Sequence, residues 1–254
     1  MTNEVISNAF DTLLNSYATK SALGDQDGIR DIRLDEYEKS VFLTKAQEEL
    51  VISLYNGRNS SGNGFEETEE LRRYLSPLVV DDVLEPIETS NGLPLGDGST
   101  HTFFTLPDGN SEEGNLMPAV WFLVYEEVKI TDTNRCENKL LQNNEEKLKG
   151  SYMEVTPVRH DEYQRLRKNP FRGANNRRAL RLDLSEGNIE IVCKYKVAEY
   201  HIRYIRKPVP IDLVEGEDNS EVSELPSSLH QRILEMAVEM ALRSKGIIKN
   251  TENK

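Results

Sequence analysis

A chain of 254 residues is long enough for one large domain or two small ones. Hydrophobic content of 37% against charged content of 30% predicts a modest core under much polar surface, as in extended arms or wet subunit contacts. The net charge of −13 argues against general nucleic-acid binding, because phosphate neutralisation supplies most of that affinity.

The first predicted element is an amphipathic helix over residues 3–17, where Val5, Ile6, Ala9, Phe10, Leu13, Leu14 and Tyr17 recur at spacings of three and four. Gly24 and Gly28 break it. A second helix is expected over 31–55, with Leu34, Tyr37, Val41, Leu43, Ala46, Leu50 and Leu54 turned inward. Asp35, Glu36, Glu38, Lys39, Lys45 and Glu48 fill its wet side, and Asn56-Gly57 ends it. A polar link at 59–64 leads to a short helix over 66–75, stopped by Pro77. Residues 79–115 are rich in turn formers and hold one strand, 102–106. The run AVWFLVYEEVKIT at 119–131 reads as a central strand, and 132–150 as polar turns.

The second half begins with a strand at 152–158 and a short helix at 161–168, ended by Asn169-Pro170. Leu180, Leu182 and Leu184 then share one face of a ribbon. Gly187-Asn188 is a hairpin signal, after which Ile189, Ile191, Cys193, Tyr195 and Val197 are expected to continue that apolar face. From Tyr200 the apolar parity flips through Ile202 and Tyr204, which demands a turn or bulge near Ala198-Glu199. Pro208 and Pro210 remove two amides from one side of the chain, so 208–213 is expected as an edge strand offering Val209 and Ile211 for pairing. An acidic link over 216–223 precedes a serine-capped helix at 228–242, with Leu229, Ile233, Met236, Ala237, Met240 and Ala241 in one stripe. Burying Leu229, Ile233, Met236 and Met240 contributes about 1.5–3 kcal/mol each before ordering costs.

The expected architecture is α+β: N-terminal helices, a mainly antiparallel β-sheet and a long C-terminal helix. Its segments are 1–57 (helical), 58–78 (linker and short helix), 79–213 (β domain) and 214–254 (tether and terminal helix).

Charge is unevenly spread. Residues 1–150 hold 13 Lys and Arg against 28 Asp and Glu, whereas 159–207 hold 13 against 6. An acidic half is suited to facing DNA without adhering, or to meeting the basic stretch of a neighbouring copy. Arg165, Arg167, Lys168, Arg172, Arg177 and Arg178 flank Tyr163 and Phe171. Two readings stand for this cluster: intersubunit charge contacts through Arg172, Arg177 and Arg178, or a single-strand-binding module over Arg165–Arg178 that stacks bases.

Motifs for chemistry are absent from the sequence. His101, His160, His201 and His230 have no partner at metal-ligand spacing, and there is no P-loop or nucleophile elbow. Asp25-Gln26-Asp27-Gly28 departs from a calcium loop in the position of its glycine. No catalytic, metal or cofactor-binding residue is assigned, although a hydrolase with a dispersed site stays open. Cys136 and Cys193 form no disulfide framework, no signal peptide is visible, and no apolar run spans a bilayer. Synthesis in a reducing cytosol without membrane association is expected.

Four segments together carry a resemblance: LDEYEKSVFLTKAQEELVISLYNG (34–57), VTPVRHDEYQRLRKNPFRGANNRRALRLDL (155–184), YHIRYIRKPVPIDL (200–213) and ELPSSLHQRILEMAVEMAL (224–242). In this order the chain resembles structural ring proteins of crAss-like Bacteroides phages, of the head-to-tail connector or adaptor kind below the portal. The resemblance implies a non-catalytic virion component, twelve copies to a ring. It implies contacts with the portal and the next tail ring, around a channel through which DNA passes without specific binding. Another tail ring or a baseplate subunit is the alternative. Adaptors often grip the portal with a C-terminal helix, which marks Leu229, Ile233, Met236, Met240, Val209 and Ile211 as candidate contacts to the portal or a neighbouring subunit.

Overall fold

The structure is a computed structural model that describes residues 1–22, 33–58, 62, 64–90, 100–109, 118–132, 152–169, 171–214 and 221–246. The calcium-like segment, Cys136 and the expected turns beyond residue 132 lie outside the described residues. Among those described, the helices are α1 (Asn3–Ala22), α2 (Glu36–Tyr55), α3 (Glu69–Leu75), α4 (His160–Arg167) and α5 (Ser227–Ser244). The strands are β1 (Val79–Leu84), β2 (Glu88–Ser90), β3 (Thr100–Thr105), β4 (Val120–Asp132), β5 (Tyr152–Pro157), β6 (Arg178–Asp183), β7 (Asn188–Cys193) and β8 (Lys196–Arg206). The fold is α+β, as expected. Two compact units form, one from Met1–Leu78 with Pro208–Lys254 and one from Val79–Lys207.

The first unit is built on α1, α2 and α5. Helix α2 starts at Glu36 because Asp35 caps it: the Asp35 carboxylate accepts from Glu38 N at 2.7 Å, and Glu38 accepts from Asp35 N at 3.3 Å. Leu43, Ala46, Leu50 and Leu54 are buried along one stripe. Tyr37, expected inward, is exposed, and Lys39, expected in water, is only 4% exposed. Lys39 Nζ donates to Asp11 of α1 at 2.7 Å and to Ser7 Oγ at 3.1 Å, which is what makes a buried ammonium tolerable.

The terminal helix is not an arm reaching away on a tether. It packs on α1 and α2 and buries Leu229, Ile233, Leu234, Ala237, Val238, Ala241 and Leu242. Its first turn follows Pro226, and no side chain caps it, so the expected serine cap does not form. His230 is also buried here. The Met1 ammonium donates to His230 Nδ1 at 2.8 Å. The ring's other nitrogen therefore carries the proton and donates to Leu225 O at 2.9 Å.

The expected edge strand at 208–213 is likewise absent. Side chains of α2 take the backbone groups that a neighbouring strand would have paired. Ile211 N donates to Thr44 Oγ1 at 3.0 Å, Leu213 N to Ser40 Oγ at 2.9 Å, and Gln47 Nε2 to Val209 O at 2.9 Å.

The second unit is an eight-stranded sheet in the order β1-β8-β4-β5-β6-β7-β3-β2. Every pairing is antiparallel except β5 with β6. The sheet curls: four strands lie between β3, which carries Phe104, and β8, which carries Tyr200, yet the two rings lie 5.2 Å from each other. Bulges assist the bend. Pairing of β4 with β8 shifts register at four places, and between Lys129↔Glu199 and Ile130↔Val197 the extra residue is Ala198, where the parity flip required one.

The ribbon's apolar face does not continue across its turn. Leu182 lies opposite Glu190, and Asp183 opposite Ile189. Leu180, Leu182 and Val192 form one cluster with Tyr163 of α4. Ile189, Ile191 and Cys193 join the inner core with Phe104, Val128, Ile130 and Tyr200. Both faces of the β6–β7 pair are thus covered by apolar groups.

Candidate subunit interfaces

The basic cluster folds into a defined loop. Tyr163 anchors α4 on the sheet, and beyond the helix Asn169 organises the chain. Its Oδ1 accepts from Phe171 N at 2.9 Å and Arg172 N at 3.3 Å, while its carbonyl accepts from Gly173 N at 2.8 Å. Gly173 sits against the helix end, where a Cβ would come within 2.7 Å of Leu166 O and 2.9 Å of Asn169 O. Asn175 repeats the device, with its Oδ1 accepting from Arg177 N at 2.8 Å. The product is a hydrogen-bonded loop that holds Phe171 85% exposed. Arg165, Lys168, Arg172 and Arg177 are exposed around it, and Arg178 is half-buried at the start of β6.

At one end of the sheet, β1 pairs with β8, and no described strand pairs with its outer side. Val83 of β1 is 49% exposed, and Ile87, in the connection from β1 to β2, is 64% exposed with its amide donating to Phe103 O of β3 at 2.9 Å. Asp81, Asp82 and Glu85 accompany them, with Asp81 accepting from Arg203 Nε at 2.5 Å. Sequence reasoning missed β1, because VVDDVL places two acids where period-two alternation would have shown it.

The helical candidates divide. Leu229, Ile233 and Ile211 lie in the first unit's own core. Met236 and Met240 are half-buried, and Val209 is 56% exposed. Met236 lines a groove of about 450 Å³ together with Tyr17, Arg232, Glu235, Glu239 and Leu242.

Inside the curled sheet, Arg181 pairs with Glu126, and Tyr200 Oη donates to the same carboxylate at 2.5 Å. Burial disfavours the Arg181 charge, but Glu126, Tyr200 and Asp183 together more than offset it and raise the guanidinium above its ordinary value. Burial, then Glu126, pushes the Tyr200 hydroxyl well above its ordinary value. Burial, then Asp82, pushes Tyr204 up to about 12. These groups form a structural network, in which Arg181 Nε lies 2.9 Å from Asp183 Oδ1 but is buried without a hydrogen bond of its own.

The four histidines do not converge: His101 is buried against Glu190, His160 Nε2 donates to Asp183 O at 2.7 Å, His201 meets Glu199, and His230 meets the Met1 ammonium. Among the described residues no group of three or more His, Cys, Asp or Glu is placed to hold a metal ion. No described helix is long and apolar enough to cross a membrane.

Three surface features are the candidates for subunit contact: a basic loop, an acidic and apolar end of the sheet, and a helical groove. The profile of the phage tail ring protein 3/4 family matches residues 1–253. The chain is 38% identical over 257 positions to Ring protein 3 of Bacteroides phage crAss001, with 96% of each chain covered. It is 29% identical over 252 positions to Ring protein 4/5 of the same phage, covering 92% of this chain and 90% of that one. The match takes in both compact units together with the loop and edge described above, and so the chain belongs to the phage tail ring protein 3/4 family.

Proposed function

We propose that this chain is a non-catalytic structural subunit of the phage virion that repeats around a ring at the junction of head and tail. The observation that carries the reading is membership of a tail ring family along nearly the whole chain. On this reading twelve copies follow the portal's symmetry, sit directly below it and extend the DNA channel. Met236, Met240 and Val209 are the candidates left on the surface for contact with the portal or a neighbouring subunit. The exposed acids Glu66, Glu67, Glu69 and Glu70 suit a surface that DNA passes without adhering.

A second position is favoured by the relatives' names, numbered 3 and 4/5: a ring further down the stack that touches other rings and not the portal. Mass measurement and electron microscopy of the purified protein, alone and mixed with the portal or with neighbouring ring proteins, decide between them. A ring that binds the portal supports the first position, and a ring that binds only other ring proteins supports the second. A chain that stays monomeric with every partner overturns the ring reading, and tight, salt-sensitive duplex binding contradicts the passive channel.

A further inference from the structure

We propose that the Phe171 loop of one copy docks on the β1 edge of the next copy, and that this loop-to-edge contact propagates the ring. The inference rests on the ring reading and names the surfaces that build it. Phe171 is 85% exposed, and Asn169 and Asn175 bond backbone amides on either side of it. A backbone ordered in advance lowers the ordering cost of binding. Arginine and aromatic side chains are also the types that dominate interface energetics.

The β1 edge is its complement. Val83 on β1 and Ile87 in the connection that follows it offer apolar surface, at 49% and 64% exposed. Glu85, with Asp81 beside it already paired to Arg203, opposes the charges of Arg172, Arg177, Lys168 and Arg165. Salt bridges formed as the aromatic contact dries gain strength from the loss of water around them. The two patches belong to the same compact unit, and β8, β4 and β5 separate β1 from β6 in the sheet. Two different patches that fit each other make a heterologous contact, the kind that repeats by rotation and closes into a ring. A two-fold contact between like patches would stop at a dimer.

The test uses full-length chains. A loop variant carries Phe171→Asp and Arg172→Glu, and an edge variant carries Glu85→Arg and Ile87→Arg. All four positions are exposed, and circular dichroism confirms that each variant keeps its fold. Under conditions where the unmodified chain forms rings, each variant alone is expected to remain at the 29.0 kDa of one chain. Mixed, they are expected to give a one-to-one dimer and nothing larger, because each retains the one surface the other lacks. A second measurement places Phe171→Cys on one copy and Ile87→Cys on another, and expects a short thiol cross-linker to join them. Rings formed by either variant alone, or a mixture that stays monomeric and does not cross-link, overturn the proposal while leaving the ring reading intact. Failure of the unmodified chain to form rings with any partner overturns both. Binding of a labelled single-stranded oligonucleotide that is lost with Arg172→Glu assigns the loop to nucleic acid instead and overturns the contact.

Discussion

Ser223 Oγ donates to Gln47 Oε1 at 2.6 Å, joining two side chains 176 positions apart in the chain. Gln47 is fully buried, and its amide nitrogen also donates to Val209 O at 2.9 Å. One residue of α2 thereby fastens both the 208–213 segment and the approach to α5. Gln47→Leu takes the donor from Val209 O and strands the buried Ser223 hydroxyl, the latter costing about 1–3 kcal/mol. Thermal unfolding should report the loss, at about 2–4 °C for each kcal/mol in a chain of this size.

The Glu126–Arg181 pair makes a second prediction. Both side chains are nearly enclosed, at 10% and 11% exposed. Glu126→Leu leaves the Arg181 charge without its main partner and should destabilise the sheet unit by about 3–5 kcal/mol. Adding Arg181→Met to the same chain should recover a large part of that, since the orphaned charge is then gone. Denaturant midpoints of the two variants give the comparison, and a double variant no more stable than the single contradicts the account.

Alkaline pH should unfold the protein by a route that runs through two tyrosines. Burial raises the hydroxyls of Tyr200 and Tyr204 above their ordinary value of 10.0. Above about pH 10 the unfolded chain releases these protons while the folded chain keeps them, so the native state binds more protons and stability falls as pH rises. Below that point both states are protonated, and this contribution is fully present. Phenolate absorbance followed with pH should show these tyrosines titrating together with the loss of structure.

Gly173→Ala should separate assembly from stability. The added Cβ meets the Leu166 and Asn169 carbonyls at 2.7 and 2.9 Å, and neither backbone atom can step aside alone. Overpacking of this sort costs about 1–3 kcal/mol, most of it spent in moving the loop off the helix end. Ring formation, read by electron microscopy, should drop more than thermal stability does.

Removing residues 225–254 should collapse the helical unit rather than yield a folded protein with one contact missing. The deleted stretch includes Leu229, Ile233, Leu234, Val238 and Leu242, all buried, and each contributes about 1.5–3 kcal/mol by burial. Circular dichroism should show helix lost well beyond α5 itself. Met236→Glu, on the half-buried rim, should keep the fold and is the better probe of portal or neighbour contact.

Much of this fold was legible in the residues. The stripes of α1, α2 and α5 marked the helices, and the parity change before Tyr200 located the bulge at Ala198. The failures share a cause. Alternation reveals that a strand has two faces but not which face meets which across a turn. At the β6–β7 hairpin, Glu186 and Gly187 take φ of 59° and 72°, and the register they set puts Leu182 beside Glu190. Both faces are apolar there, so the pattern held no sign of the crossing. The 208–213 segment misled for a related reason: its amides needed partners, and side-chain oxygens on a helix can serve as well as a strand. Phe171 was noticed for its arginine neighbours, but its exposure depends on Asn169 and Gly173, whose roles exist only in three dimensions.

The helical unit is assembled from the two ends of the chain, with the sheet unit between Leu78 and Pro208. During synthesis α1 and α2 leave the ribosome first, and α5 follows about 170 residues later, a delay of about 10–35 s at bacterial rates. The sheet unit is complete before the helical one can close. A chain that stops before α5 therefore cannot complete the helical unit.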